Sequence, residues 1–272
     1  GAILMTDITC ALTIAGTDPT GGAGIQADLK TFQELQTYGM SIVTSVVAQN
    51  TTGVQAIEHI SLDMIEQQLD SVFSDVPVDA VKTGMIANID MMKIIKKKLD
   101  GKNLPLVIDP VMVATSGDPL INEEARDFLR DELLAYATVV TPNLPEAEFL
   151  TNMTISTFDD MKKAAEKIVH TYGAKAALVK GGHLSKDNDA TDFLYDGNDM
   201  HVFTKKRIDT KDTHGTGCTY SAAITAHLAQ GLSLYEAVEK GKEFIQAAIE
   251  ESIPLGAGSG PTKHWAIRGR QV

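Results

Sequence analysis

The chain is short of the residues that build a covalent or metal-held scaffold. It has two cysteines, Cys10 and Cys218, far apart in sequence and without metal-ligand spacing. A disulfide framework is therefore excluded, and two free thiols fit a reducing, cytoplasmic setting. Positive charge is also scarce: 24 lysines and arginines stand against 36 aspartates and glutamates, a net charge of −12. Nucleic acid and anionic membrane both reward a basic face, so neither is expected as a main partner. An anionic ligand would need a local site working against the global field. No apolar run approaches the length of a membrane span, and no signal peptide is seen. Linkers, repeats and low-complexity segments are absent too.

What is present is a regular alternation of β-type and helical runs. The 272 residues, 43% of them hydrophobic, suffice for a substantial core. Strands are expected at residues 8–15, 42–48, 80–82, 104–108, 138–141 and 176–179. Helices are expected over 23–38, from 62 to 73, after Asn122, over 158–169, from Cys218 and over 233–252. Asp196-Gly197-Asn198 should turn a hairpin between 191–195 and 200–204. Lys96-Lys97-Lys98 reads as a solvated helix end, its charge matched to the helix dipole. This pattern means an α/β fold: a mostly parallel central sheet covered by helices on both faces. One domain is expected over residues 5–272, with Gly1-Ala2-Ile3-Leu4 a vector-derived remnant before a natural start at Met5. Ligands of such sheets bind beyond the carboxyl ends of the strands. Gly16, Gln49, Met85, Asp109, Asn143 and Lys180 follow the six strands in turn.

Two glycine clusters stand out. The first, Gly16-Thr17-Asp18-Pro19-Thr20-Gly21-Gly22-Ala23-Gly24, has P-loop spacing but puts Gly22 where the lysine belongs. It also approximates a dinucleotide fingerprint, yet the second strand ends in Ala48-Gln49-Asn50 with no ribose-binding carboxylate. A nicotinamide or flavin oxidoreductase is thereby disfavoured. The second cluster, Asp212-Thr213-His214-Gly215-Thr216-Gly217-Cys218, runs straight into a helix. Two glycines let successive N–H groups converge at the positive end of a helix dipole, an arrangement that binds phosphate. Cys218 at its mouth is either a reactive group or a small filler. Cys10, inside the first strand, reads as core.

The second cluster resembles the closing signature of ribokinase-like small-molecule kinases. Cysteine at its last position, where most sugar kinases carry aspartate, resembles the vitamin-kinase branch. The segment from Ala15 to Asp28 resembles hydroxymethylpyrimidine/phosphomethylpyrimidine kinases of thiamine synthesis. So do Val47-Ala48-Gln49-Asn50-Thr51, Lys82-Thr83-Gly84-Met85, Thr141-Pro142-Asn143-Leu144-Pro145-Glu146-Ala147, Lys180-Gly181-Gly182-His183 and Gly260-Pro261-Thr262 with His264-Trp265. The matches span Ile8 to Trp265.

The resemblance implies a single-domain ribokinase-like kinase that uses ATP and Mg²⁺ twice. It would phosphorylate 4-amino-5-hydroxymethyl-2-methylpyrimidine and then the resulting monophosphate. Gly215, Thr216, Gly217 and Cys218 would present N–H groups to the γ-phosphoryl, with Cys218 as base toward the hydroxyl. The helix N-terminus is expected to lower the thiol's pKa. Gly16, Asp28 and Gln49 would hold the pyrimidine's polar groups, and Met85 and Val111 its ring. Asn143, Lys180, Thr213 and Thr216 would contact the nucleotide, and Asp109 and Glu146 the Mg²⁺, largely through water. Residues 112–122 resemble the family's mobile flap, needed to keep water from the phosphoryl group. A homodimer is implied. His214 has no task readable from sequence, and His170, His201 and His227 read as surface or packing residues. A pyridoxal kinase of the same branch is the nearest alternative. A noncatalytic pyrimidine or nucleotide sensor is a more distant one, disfavoured by the intact set Asp109, Glu146, Lys180 and Cys218.

Overall fold

The fold is built outward from one strand, β1 (Cys10–Ala15), every residue of which is buried. Such a strand must pair on both edges and be covered on both faces. In the computed structural model, which describes residues 8–182 and 189–270, both conditions are met. The N-terminal remnant, the start at Met5 and His183 lie outside the described residues. β1 pairs in parallel with β2 (Tyr38–Val43) on one side and β5 (Ala80–Thr83) on the other. Parallel pairing continues through β6 (Leu106–Ile108), β7 (Val139–Val140) and β8 (Ala177–Lys180). An antiparallel hairpin, β9 (Asp189–Tyr195) and β10 (Met200–Lys206), closes that edge, turning at Gly197 as the sequence predicts. The sheet order is β10-β9-β8-β7-β6-β5-β1-β2.

Successive strand residues feed opposite cores, as the period of two demands. Leu106 and Ile108 pack in one cluster with Ile65 and Leu69 of α2 (Leu62–Phe73) and Met92 and Ile95 of α3 (Ile89–Leu99). Ala125 of α4 (Glu123–Phe128), Leu150 of α5 (Leu144–Thr151) and Ala164 and Ile168 of α6 (Phe158–His170) complete that face. Val107, between Leu106 and Ile108, points the other way, to Ile224 of α7 (Thr216–Ala229) and Val238 of α8 (Leu234–Glu250). Ala11 of β1 meets Phe32 of α1 (Gly24–Glu34) and Ala222 of α7 on this second face. Lys96, Lys97 and Lys98 form the last turn of α3, where they face the dipole as expected.

Two expected boundaries are wrong for physical reasons. The helix expected over 23–38 stops at Glu34, because Gln36 takes a left-handed φ of 55° and Tyr38 already pairs in β2. The apolar run 42–48 is two strands, broken at the buried Thr44. Its N–H donates to Ala15 O at 3.0 Å and its hydroxyl to Met85 O at 2.9 Å. The chain then leaves the sheet as β3 (Ser45–Asn50), which pairs antiparallel with β4 (Gly53–His59) in a separate ribbon. Apolar content alone does not reveal that break, since both halves are apolar.

Beneath the strand ends a lysine is sealed in the core. Lys82 of β5 and Asp28 of α1 are both 0% exposed and form an ion pair, with Thr13 Oγ1 donating to the second Asp28 oxygen at 2.6 Å. Burial works against the charge on Lys82, but Asp28, with Cys218 and Asp109 beyond it, holds the ammonium proton on more tightly than usual. Breaking such a pair leaves one uncompensated buried charge, whereas replacing both members by apolar residues is far less costly. Lys82→Met alone should therefore cost about 3–5 kcal/mol of stability in urea titrations. Lys82→Met with Asp28→Leu should recover most of that loss. A double variant no more stable than the single one would contradict the ion-pair account.

Candidate active site

A parallel sheet delivers all its carboxyl ends to one edge. Gly16 thus leaves β1, Met85 follows β5, Asp109 leaves β6, Asn143 follows β7, and Lys180 ends β8. Asn143 and Lys180 are bridged strand-fashion, with Lys180 N donating to Pro142 O at 2.9 Å. Above this edge stands the N-terminus of α7. Its cap, Gly215, has a left-handed φ of 79°, and Thr216 Oγ1 donates back to Thr213 O at 2.7 Å. The two glycine clusters prove to be one structure. A Cβ on Gly215 would overlap the Gly22 carbonyl, and one on Gly24 would stand 2.6 Å from the Gly16 carbonyl. The first cluster is therefore the bed on which the second lies, a role that P-loop or dinucleotide spacing does not describe.

The bed is held by a buried carboxylate. Asp18, 0% exposed, accepts from the Thr20 N–H and hydroxyl at one oxygen, at 2.9 and 2.8 Å. Its other oxygen accepts from the N–H groups of Gly22 (3.0 Å) and Ala23 (2.9 Å) and lies 2.7 Å from His214 Nε2. Burial opposes the charge, but His214 and Thr20 overcome it and hold the Asp18 carboxyl down at about 2. His214 N also donates to Gly260 O at 3.1 Å. Sequence reasoning gave His214 no task and passed over Asp18 as a site residue. Their pairing joins positions 196 apart, so no local spacing could reveal it.

On one side of the α7 N-terminus lie the charged groups. A Cβ on Gly217 would stand 3.4 Å from Lys180 Nζ and 3.9 Å from Asp109 Oδ2, which places both groups directly against the glycine. Asn143 caps α5: its side chain accepts from Glu146 N at 2.9 Å, and Glu146 Oε1 accepts from Asn143 N at 3.0 Å. Burial, then Asp109, pushes the Glu146 carboxyl up to about 8, against the pull of Lys180. Behind Lys180, buried Asp192 accepts from Gly181 N (3.1 Å), Tyr220 Oη (2.9 Å) and Lys242 Nζ (2.7 Å).

On the other side Gln49 Nε2 donates to Thr17 O at 3.4 Å, and the Met85 methyl lies against Gly16. Val111 is partly buried on the large core. Gln49 lies in the β3–β4 ribbon rather than at the end of a sheet strand, so it reaches the site from above the sheet edge. Asp28 departs from expectation: its carboxylate is closed in the core by Lys82 and Thr13 and does not face the pocket. Above lies a cavity of about 330 Å³ lined by Gln49, the ribbon turn, residues 114–116, His214 and Gly258-Ser259. The segment 112–120 folds back on itself, and Asp118 Oδ2 accepts from Val54 N of the ribbon at 3.0 Å. Thr51 at the ribbon's turn accepts from the N–H groups of Gly258 and Ser259 at 3.1 and 3.0 Å.

The half-buried Cys218 thiol receives the Gly24 N–H at its sulfur. The expectation of a lowered pKa fails. Burial pushes the thiol up to about 11; Lys82 and the Gly24 N–H act against this, and Asp28 and Asp109 add to it. Burial and the two carboxylates outweigh the Lys82 charge and the Gly24 N–H.

Comparison with known proteins gives the chain a family. The profile of the phosphomethylpyrimidine kinase family matches residues 18–263. A hydroxymethylpyrimidine/phosphomethylpyrimidine kinase of Bacillus subtilis is 48% identical over 260 residues, 95% of this chain and 95% of the relative. A thiamine biosynthesis bifunctional protein of Geobacter sulfurreducens is 48% identical over 93% of this chain and 51% of its own length. The solved pyridoxal kinase of Staphylococcus aureus in complex with AMP-PCP and pyridoxal superposes with a TM-score of 0.87 at 38% identity, covering 96% of this chain and 95% of that one.

The thiol's environment has a direct readout. Iodoacetamide should modify Cys218 slowly at neutral pH, the rate rising about tenfold per pH unit from 7 to 10 as thiolate forms. Peptide mapping separates it from buried Cys10. A rate that levels off by pH 8 would show that the helix dipole prevails after all.

Proposed function

The chain belongs to the phosphomethylpyrimidine kinase family, and from that premise we propose how its residues carry out two successive phosphoryl transfers in thiamine biosynthesis. The first acceptor is the hydroxymethyl group of 4-amino-5-hydroxymethyl-2-methylpyrimidine, and the second is the phosphate of the product. The observation that carries the reading is the fusion of the two glycine clusters. It sets the N-terminus of α7 between a charged side at Lys180 and Asp109 and a neutral side at Gly16, Gln49 and Met85.

ATP is the donor in this reading. Phosphoryl transfer needs alignment and charge stabilisation more than covalent chemistry. The N–H groups from Gly215 to Cys218 would receive the γ-phosphoryl, with Thr213 and Thr216 shaping the turn. Lys180 would act as a point charge on the phosphates beside Asn143. Asp109 and Glu146 would hold Mg²⁺. Their fit rests on mutual crowding, since Asp109 adds to the burial that pushes Glu146 up to about 8, a load a dication would relieve. Among the described residues no group of three or more His, Cys, Asp or Glu could hold a metal, so water and phosphate would complete the shell, as Mg²⁺ prefers. Bound there, Mg²⁺ would neutralise charge on the nucleotide's phosphates.

On the acceptor side Gln49 and the Gly16 backbone would meet the pyrimidine's polar edge, with Met85 and Val111 against the ring. Asp28 would act from below, by holding Lys82 under the pocket floor. In the first transfer the acceptor oxygen bonds to phosphorus and the bond to ADP breaks, while Cys218 takes the hydroxyl proton as the thiolate. Burial keeps the thiol protonated at neutral pH, so it first gives up its own proton to solvent. In the second the acceptor is already an anion and needs no base. Among the described residues no helix is long and apolar enough to cross a membrane. We read the chain as a cytoplasmic homodimer.

A second reading, pyridoxal kinase activity, is favoured by the likeness to the Staphylococcus aureus structure. ADP formation measured side by side on pyrimidine alcohol, pyrimidine monophosphate and pyridoxal separates the two. Turnover of the monophosphate is expected, and its absence alongside pyridoxal turnover would favour the second reading. Cys218→Ala should lose about 10²–10⁴-fold in kcat on the alcohol, the range of general base catalysis. Its loss on the monophosphate should be distinctly smaller. Equal losses on both would leave Cys218 a purely positional part.

A further inference from the structure

Asp18 and His214 stand outside every role assigned above, yet they form the most heavily bonded buried polar pair at the site. One carboxylate, 0% exposed, accepts from Thr20, Gly22, Ala23 and His214. These donors come from two loops with different duties. Residues 16–24 leave β1 on the acceptor side, carry the Gly16 backbone and receive Gln49 at Thr17. Residues 213–218 enter α7 on the donor side and carry the N–H cradle and Cys218. Sheet pairing does not join the two loops, because one follows β1 and the other follows β10 at the far edge. Elsewhere the second loop is tied to Gly260 through His214 N, rests on Gly22 by van der Waals contact, and meets the first loop again where the weakly accepting Cys218 sulfur takes the Gly24 N–H.

We propose that the Asp18–His214 pair is a positioning device for phosphoryl transfer, fixing the distance between acceptor loop and donor loop. The inference rests on the two-step kinase reading. In-line transfer requires the acceptor oxygen and phosphorus within a few tenths of an ångström of their productive separation, and a misplacement of about 1 Å can cost 10²-fold in rate. A hydrogen bond from the imidazole to a carboxylate that is itself locked by four further donors transmits the position of one loop to the other. The pair moves no proton in this account. It therefore acts on both acceptors alike, whereas Cys218 discriminates between them.

The chemistry of the side chains supplies a sharp test. Glutamine can place its amide nitrogen near the Nε2 position of histidine, keeping the donor to Asp18 without a titrating ring. Asparagine is too short to do so. His214→Gln should keep kcat within about fivefold of the parent on both acceptors, and His214→Asn should lose about 10²-fold on both. KM for ATP and for each acceptor should change by less than about threefold, since binding is not what the pair supplies. Asp18→Asn should match His214→Asn, and the double variant should be no worse than either single one. If buried Asp18→Asn does not fold, as judged by its melting curve, the His214 series decides alone.

The inference is overturned if His214→Gln is as impaired as His214→Asn, if His214→Asn stays within about threefold of the parent, or if the losses of the two single variants simply add. A loss confined to the alcohol acceptor would likewise overturn it and make His214 part of the proton path. Failure of the kinase reading is distinguished at the outset, because the unmutated protein would then form no ADP with either pyrimidine.

Discussion

The site depends on a close approach of two backbones that only glycine permits. Gly215 lies on the carbonyl of Gly22, and Gly24 lies against that of Gly16. Each of Gly215 and Gly24 also needs a positive φ, 79° and 59° respectively. Chirality and bulk both exclude a side chain there. Everything with chemical capability is placed by this contact: the start of α7, the Cys218 sulfur beneath the Gly24 N–H, and Gly217 against Lys180 and Asp109. Glycine at these two positions is thus required by packing itself.

Electrostatics follow from the same arrangement. A chain with a net charge of −12 is a poor global host for a nucleotide. Its favourable field is local and short-ranged: Lys180 at a strand end, a helix N-terminus, and Lys82 sealed below. The buried carboxylates tell the other half. Asp18 has donors on both oxygens and stays charged, while Glu146, facing Asp109, is pushed toward neutrality. Two carboxyl groups near the sheet edge are thus driven apart by what surrounds them, one held charged by its donors and the other pushed toward neutrality by burial and Asp109.

Much of this was legible in the sequence. The strand ends were predicted from apolar runs, and Gly16, Met85, Asp109, Asn143 and Lys180 do gather at one edge, because a parallel sheet gives them no alternative. The glycine-capped start of α7 was legible because glycine spacing and the following helix are local signals. Three things were hidden. The break at Thr44 separates two equally apolar halves, so it has no compositional trace, and with it the ribbon carrying Gln49 was missed. The partners of Asp28 and His214 are Lys82 and Asp18, which tertiary contact alone brings near. The direction of the Cys218 shift was misjudged because a helix start is visible in sequence and the burial that raises the thiol is not.

The ribbon's turn is stapled at Thr51 by the backbone of Gly258 and Ser259, and Gly260 meets both Asp212 and His214. A wall of the cavity is therefore contributed by almost the last described stretch of the chain. During synthesis the strands from β1 to β8 can pair as they emerge, since each finds its neighbour already made or soon to follow. The pocket cannot close until residue 260 has left the ribosome. Contacts of this sequence separation are slow to form and are made after the local ones. A nascent chain would thus pass through a stage with a nearly complete sheet and no enclosed site, so chemical competence arrives as the final event of folding.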